Sequence, residues 1–329
     1  MPCSDRVPDA LARALIAQGY LVLTPVQLAV LGVEPPDRDM LVSAETGSGK
    51  TLAFGLALAG RLLGPDGRAL HGRGPLAAVI TPTRELARQV RDELAWLYAE
   101  TGVRVASCIG GADMRAERAR LAAGCEIVVG SPGRLRDHVE RGALETARLG
   151  CVVLDEADDM LDMGFRDDLE FILRAAAPGR QTLLFSATVT PRIEALAARF
   201  QRDAARVAAS ARAGPAPEIR FEAVAVAPGD RESAVVNILR FYEARGALVF
   251  CARRDTVAGL AGRLEGRGFA VVALSGALPP RERAAAMAAM REGRARVCVA
   301  TDLAARGLDL PAIELVVHAD LPAGEAALT

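Results

Sequence analysis

The stretch Leu41-Val42-Ser43-Ala44-Glu45-Thr46-Gly47-Ser48-Gly49-Lys50-Thr51-Leu52-Ala53-Phe54-Gly55-Leu56-Ala57-Leu58 carries the strongest fold signal in the chain. A short apolar run comes first, then a loop with two glycines closed by Lys50-Thr51, then a second apolar run of helical character. Strand, glycine loop and helix in that order make a phosphate-binding loop. Glycines let successive backbone N–H groups turn inward around phosphate oxygens, and the helix N-terminus adds partial positive charge. Lys50 is the only lysine among forty Lys and Arg residues. A compact ammonium reaches between the β- and γ-phosphates, a slot that a planar guanidinium fork does not fit. The hydroxyl of Thr51 is placed to take Mg²⁺. Ala44 opens the loop where the commonest pattern has Gly.

The chain has 329 residues, which suits two domains of about 150–200 residues each. Charged residues make up 25% and hydrophobic residues 51%, a globular rather than a disordered balance. No apolar run approaches the ~20 residues of a membrane span, and Met1-Pro2-Cys3-Ser4-Asp5-Arg6 lacks the basic start and apolar core of a signal peptide. The six cysteines show no C-x-x-C pairing, and most sit in apolar runs as reduced core thiols. A cytoplasmic protein is expected. With a net charge of −1, the chain does not grip nucleic acid by bulk charge alone. His71, His138 and His318 are scattered, with no metal-site spacing among Cys and His.

Strand candidates recur at 40–43, 76–81, 104–109, 126–130, 151–154 and 182–186, and again at 219–226, 247–251, 270–274, 296–300 and 313–318. Helical patterns separate them, so the spacing predicts βαβ units and a parallel sheet in each half. Domain one is expected over 1–209, an Ala/Gly/Pro-rich linker over 210–217 and domain two over 218–329. Ligands of open parallel sheets bind beyond the carboxyl ends of the strands. The polar clusters fall there: the phosphate loop, Thr81-Pro82-Thr83-Arg84, Gly130-Ser131-Pro132-Gly133-Arg134, Asp155-Glu156, Ser186-Ala187-Thr188 and Thr301-Asp302.

Asp155-Glu156 after Val152-Val153-Leu154 is a Walker-B arrangement. Asp155 can hold Mg²⁺, directly or through water, and Glu156 can orient and deprotonate an attacking water. An acidic strand end can also serve as a helix N-cap. Beside the phosphate loop, Lys50, Asp155 and Glu156 form a catalytic set.

Asp155-Glu156-Ala157-Asp158 resembles the signature of the DEAD-box RNA helicases, ATPases of helicase superfamily two. The resemblance runs from about Gly19 to the last residue and rests on several motifs in the family's order. Thr24-Pro25-Val26-Gln27 is similar to the Q motif, where Gln27 would read the adenine edge; capping of the following helix is its other reading. Ala44 to Thr51, with Thr46, Gly47, Ser48 and Gly49, is similar to motif I as this family writes it. Pro82, Thr83 and Arg84 resemble motif Ia. Gly110-Gly111 and Ser131-Pro132-Gly133-Arg134 resemble further RNA-contacting motifs. Ser186-Ala187-Thr188 resembles motif III, whose hydroxyls would pair with Asp158 and couple nucleotide state to domain closure. Arg283 stands where the family has a second-domain arginine. Ala300 to Asp309 resembles motif V, with Thr301 toward RNA phosphate and Gly307 and Asp309 toward the ATP ribose.

The departures are specific. No aromatic residue near Val7 stands where the family has an adenine-stacking ring. Leu23, Ser131 and Pro280 replace the usual Pro, Thr and Gln. The arginine-finger segment, motif VI, would begin where the sequence stops at Thr329. The resemblance thus implies two RecA-like α/β domains, the second incomplete at its C-terminus, with ATP and Mg²⁺ between them. It implies single-stranded and short duplex RNA as partners, held by backbone and 2′-hydroxyls, and a monomer away from membranes. Local duplex separation driven by ATP is the expected activity, with low turnover for want of the fingers. The competing expectation is a non-catalytic ATP- and RNA-binding clamp. A DNA translocase is disfavoured by Gln27, Asp158 and Ser186-Ala187-Thr188 together.

Overall fold

The computed structural model describes residues 7–209, 220–227, 229–276, 278–301, 304 and 313–320. The chain divides into two compact units, residues 1–218 and 219–329. The expected linker at 210–217 lies outside the described residues.

Unit one begins with α1 (Asp9–Ala17), α2 (Pro25–Leu31), β1 (Met40–Ser43), α3 (Lys50–Ala57) and α4 (Ala59–Leu62). It continues through β2 (Ala77–Ile80), α5 (Arg84–Leu97), β3 (Val105–Cys108), α6 (Met114–Ala122), β4 (Ile127–Gly130) and α7 (Pro132–Glu140). Then come β5 (Cys151–Leu154), α8 (Ala157–Asp162), α9 (Arg166–Ala175), β6 (Gln181–Ser186), α10 (Pro191–Phe200) and β7 (Ala205–Ala208). The seven strands form one sheet in the order β3-β4-β2-β5-β6-β1-β7, every pairing parallel.

Strands β2, β4 and β5 are buried at every residue, as a sheet covered on both faces requires. Alternate side chains then feed two cores. Val42, Val79, Val129 and Val153 pack with Leu11, Val26, Phe54 and Leu94. Leu41, Ala78, Val128 and Val152 pack with Leu135, Met160, Leu169 and Ile193 on the other face. Buried polar groups pin the edges. Asp39 accepts hydrogen bonds from the Thr182 N–H at 2.7 Å and the Arg202 N–H at 2.6 Å, joining the entry to β1 with β6 and the turn into β7. Tyr98 Oη donates to the Gly55 carbonyl at 2.6 Å and fastens α5 onto α3. Glu126 accepts from the Arg104 N–H at 2.8 Å, from Arg104 Nη2 at 2.8 Å and from His71 Nδ1 at 2.9 Å.

Unit two contains α11 (Arg231–Tyr242), β8 (Ala247–Phe250), α12 (Arg254–Glu265), β9 (Val271–Leu274), α13 (Pro280–Arg291), β10 (Val297–Ala300) and β11 (Leu315–His318). Its parallel sheet runs β11-β8-β10-β9. Val235, Leu239, Val257 and Leu264 cover Val249 and Val299 on one face, while Met287 and Met290 cover Leu274 and Cys298 on the other.

One strand was not expected and one expectation fails. β7, an edge strand with only Val207 buried, carries no apolar run that marks it. Residues 220–226, expected as most of a strand over 219–226, pair with no strand among the described residues. Their apolar side chains fall on both parities, Phe221 on one and Val224 and Val226 on the other, and all three are exposed, so neither face gains burial. Among the described residues, no helix is long and apolar enough to cross a membrane. The described cysteines, Cys108, Cys125, Cys151, Cys251 and Cys298, are free and buried.

The pinned edges can be tested through stability. Tyr98→Phe keeps the ring but removes the bond to Gly55, and unfolding in urea is expected to show a loss of about 1–3 kcal/mol. For Glu126, burial alone would raise the carboxyl, but hydrogen bonds from Arg104 and His71 outweigh it and hold the group at about 2, below the usual 4.5. A depressed carboxyl stabilises the fold above its unfolded value and ceases to do so as the pH falls through its folded value. The parent chain is therefore expected to lose stability between pH 4.5 and about 2 in a step that Glu126→Gln lacks. Equal acid-unfolding curves for the two proteins would refute it.

Candidate functional site

Because every strand of unit one runs the same way, all their carboxyl ends open on one rim. Sheet order sorts that rim. The loops after β1, β6 and β5 are neighbours, and those after β2, β4 and β3 follow on the other side. The phosphate loop, Ser186-Ala187-Thr188 and Asp155-Glu156 thus make one half. Thr81–Arg84, Ser131–Arg134 and Gly110-Gly111 make the other.

In the first half, the loop from Glu45 to Gly47 is exposed and Ser48 turns back, its Oγ donating to the Glu45 carbonyl at 2.8 Å. Gly49 has φ 90°, and a Cβ there would lie 2.6 Å from Gln27 Nε2, so backbone conformation and space both require glycine. Lys50 begins α3, is buried, and donates from Nζ to the Ala44 carbonyl at 3.0 Å. Thr51 is half-buried beside it. Gln27 is buried; its Oε1 accepts from the Thr24 N–H at 2.9 Å and its Nε2 donates to the Gly49 carbonyl at 3.2 Å. The capping reading of Gln27 therefore holds alongside a contact with the phosphate loop.

Asp155 is buried at the end of β5, and Glu156 follows with φ 53°, the left-handed region that strains a non-glycine residue. Glu156 occupies the N-cap position of α8 but makes no capping bond. Asp155 Oδ1 and Glu156 Oε2 are buried without a hydrogen-bond partner. Burial pushes Asp155 up to about 6, against the charge of Lys50. Burial and then the charges of Asp155 and Asp159 push Glu156 up to about 7. Two adjacent acids, each with a buried oxygen short of a donor, favour the arrival of a cation or a proton. That donor set, beside a glycine loop and a lysine, fits a nucleoside triphosphate with a divalent ion.

Asp158 Oδ2 accepts from the Thr188 N–H at 2.9 Å and from Thr188 Oγ1 at 2.8 Å, tying α8 to the loop after β6. Ser186, expected to share that pairing, does not; its hydroxyl donates instead to the Thr188 carbonyl at 2.7 Å and shapes the loop from inside.

In the second half, Pro82 is buried, Thr83 caps α5 by accepting from the Leu86 N–H at 3.2 Å, and Arg84 is exposed. A side chain at Gly110 would meet the Arg84 guanidinium at 3.1 Å, so Arg84 lies over that glycine. Gly111 is exposed with φ 82°. Ser131 and Gly133 are half-buried at the N-terminus of α7. Arg134, expected among the RNA-contacting residues, is held by groups of the protein itself. Its Nε pairs with Glu117 Oε2 at 2.9 Å, its Nη2 donates to the Ala112 carbonyl, and only 13% of its side chain is exposed.

In unit two, Arg283 Nη2 donates to the Ala304 carbonyl at 2.7 Å, and Thr301 Oγ1 accepts from the Ala304 N–H at 3.3 Å, so both expected residues meet at the turn after β10. Gly307 and Asp309 lie outside the described residues. Sequence reasoning missed Glu117. The available signal was its position four residues before Leu121 on an otherwise charged helix, which places both on the buried face of α6. It also read His138 as isolated, whereas Cys108, Glu117 and His138 converge and are all buried. Glu117 already accepts from the Ile109 N–H and His138 Nε2 and is ion-paired with the Arg134 guanidinium, so this cluster is a paired network rather than a cation cage.

Comparison with known proteins agrees with this layout. The DEAD/DEAH box helicase family model matches residues 24–196, and the helicase conserved C-terminal domain model matches residues 230–329. ATP-dependent RNA helicase DeaD of Mycobacterium tuberculosis (strain CDC 1551 / Oshkosh) is 35% identical over 311 residues, covering 94% of this chain and 54% of its own length. ATP-dependent RNA helicase DbpA of Escherichia coli (strain K12) is 36% identical over 316 residues, covering 96% of this chain and 68% of its own. The chain thus spans about half the length of the first of these relatives. Among solved structures, a DEAD box protein from the hyperthermophile Methanococcus jannaschii is 31% identical with TM-score 0.59, covering 99% of this chain and 86% of that one. S. cerevisiae Dbp5 bound to RNA and ADP BeF3 is 25% identical with TM-score 0.79, covering 97% and 80%. With one family model matching more than half of its residues, on the very strands whose ends carry the phosphate loop and the Asp155–Asp158 acids, the chain belongs to the DEAD/DEAH box helicase family.

Proposed function

We propose that this chain is the two-domain engine of an ATP-dependent RNA helicase, which binds ATP with Mg²⁺, hydrolyses it, and locally separates short RNA duplexes. The carrying observation is the pair of buried, partnerless oxygens on Asp155 and Glu156, both under the influence of the chain's only lysine. The names of DeaD and DbpA, and the RNA held by Dbp5, support RNA as the polymer.

In this reading the amides of Thr46, Gly47, Ser48 and Gly49, with Ala44 behind them, cradle the phosphates, and Lys50 exchanges its bond to the Ala44 carbonyl for phosphate oxygens. Thr51 and Asp155 hold Mg²⁺, which supplies charge neutralisation at the phosphates when bound. Gln27 uses one N–H on Gly49 and one lone pair on Thr24, which leaves one donor and one acceptor for an adenine edge. Glu156 Oε2 takes the proton of the attacking water. The water oxygen bonds to the γ-phosphorus as the bond to the bridging oxygen breaks, releasing ADP and phosphate. The Asp158–Thr188 tie transmits the state of that site to the loop after β6. Pro82, Thr83, Arg84, Gly111, Ser131 and Gly133 form the RNA half of the rim in unit one, and Arg283 and Thr301 its counterpart in unit two. Gly307 and Asp309 are assigned to the ribose from sequence alone. The buried free cysteines support a reducing, cytoplasmic setting.

Two substitutions test this. Glu156→Gln keeps the shape but cannot accept a proton, so steady-state ATP hydrolysis with single-stranded RNA is expected to fall by about 10²–10⁴-fold while ATP affinity persists. A parental rate would reduce Glu156 to a structural role. Lys50→Arg keeps the charge but brings a fork into a slot shaped for a point charge, and calorimetry is expected to show ATP affinity reduced by at least about ten-fold. Near-parental affinity would show that the slot accepts either cation.

A further inference from the structure

The Glu117 side chain is fully buried on α6, yet its carboxylate touches three residues of two other segments. Oε1 accepts from the Ile109 N–H at 2.8 Å, one residue past β3. Oε2 accepts from His138 Nε2 at 2.8 Å and pairs with Arg134 Nε at 2.9 Å, both on α7. Arg134 carries the link onward, for its Nη2 donates to the Ala112 carbonyl, just after Gly110-Gly111. The backbones of the two loops also meet directly. The Ser131 N–H donates to the Cys108 carbonyl at 3.3 Å, and a Cβ at Gly130 would lie 2.4 Å from that same oxygen. One buried anion therefore joins the glycine loop after β3 to the N-terminus of α7. The exposed Gly111 lies in the first of these and Gly133, in the first turn of α7, in the second.

From this geometry we infer that Glu117 is a positioning residue for RNA binding, and that Arg134 acts through it. Arg134 clamps the Gly110–Ala112 loop against α7 instead of reaching a phosphate. The amides of Gly111 and Gly133 then present one fixed pair of donors to successive phosphates. The inference rests on the reading that this rim takes RNA. Its physical logic is that a buried carboxylate held by two donors and an ion pair cannot let either loop move without leaving a charge unpaired.

The sign of one substitution separates this role from simple electrostatics. Glu117→Gln removes a negative charge near an RNA-binding surface, and charge alone predicts equal or tighter binding. Positioning predicts the reverse. For the whole chain with a fluorescent single-stranded RNA, Glu117→Gln and Arg134→Gln are each expected to weaken binding by about ten-fold to a hundred-fold. The double variant should be no weaker than the weaker single, because both cut the same tie. The salt dependence should stay parental in each, and affinity for a fluorescent ATP analogue should not change, which a general loss of fold would not spare. Without RNA, amide hydrogen exchange should quicken at residues 109–112 in Glu117→Gln and stay parental at residues 46–51.

Parental or tighter RNA binding by Glu117→Gln, with Arg134→Gln lowering the salt slope by about one unit, would make Arg134 a direct phosphate contact and overturn the inference. Unchanged exchange at 109–112 would overturn the tie itself. A parent chain that binds no RNA at all would instead overturn the reading of the rim, and the exchange experiment would still decide whether Glu117 holds the loops.

Discussion

One backbone hydrogen bond beyond the end of each of four strands, β1, β5, β2 and β4, sets the rim of unit one. The Ala44 N–H donates to the Ser186 carbonyl at 3.0 Å, the Asp155 N–H to Ile80 at 2.9 Å, the Thr81 N–H to Gly130 at 3.0 Å and the Ser131 N–H to Cys108 at 3.3 Å. Each bond extends the parallel ladder into the first residue of a loop that bears a motif. The loops therefore leave the sheet in register, at heights fixed by the cores beneath, before their own residues choose a path. Sheet order then decides which loops are neighbours. The Asp155–Ile80 bond spans the border between the nucleotide half and the RNA half, so a change at one acid lies one ladder bond from the other half.

Two buried carboxyl centres on this rim show opposite designs. Glu117 has donors on both oxygens and behaves as structure. Asp155 and Glu156 each keep an oxygen without a donor and sit side by side; burial drives both up, and the charge of Asp155 adds to the rise at Glu156. A left-handed residue at Glu156 adds strain to the same place. Such a site weakens the empty protein, and only the surrounding, fully buried strands β5 and β6 make it tolerable. The energetic deficit is itself the mark of a ligand site. The satisfied carboxylate marks the scaffold that holds the site's neighbours still.

The parts legible in the sequence were those where a buried strand runs straight into a polar cluster, because a short, mostly apolar run that ends in such a cluster suits a strand that leads into a ligand loop. That pattern marks six of the seven strands of unit one and the loops that carry chemistry. It misses β7 because an edge strand with one buried side chain has no period to detect. It over-reads residues 220–226 because extended apolar chain resembles a strand until a partner is required. Spatial adjacency was not legible at all: the phosphate loop lies beside Ser186–Thr188, more than a hundred residues away, and not beside the next motif along the chain. Glu117 was hidden for the same reason, since its three partners come from the end of β3 and from α7, and only folding assembles them.

The arginine bias of the composition also acquires a physical meaning. Arg104 reaches Glu126 and the Ala123 carbonyl, Arg134 reaches Glu117 and the Ala112 carbonyl, and Arg296 bridges the Glu243 and Ala244 carbonyls. Each spans two acceptors at once, which a planar fork with five donors does well and a single ammonium does poorly. A chain that fastens its loops in this way tolerates arginine at nearly every basic position. Lys50 stands apart because its task is different. It makes one bond, to the Ala44 carbonyl, at the start of α3, and in the proposed function that bond is the one exchanged for a phosphate oxygen. The one surviving lysine thus separates the structural use of positive charge in this fold from its use toward a ligand.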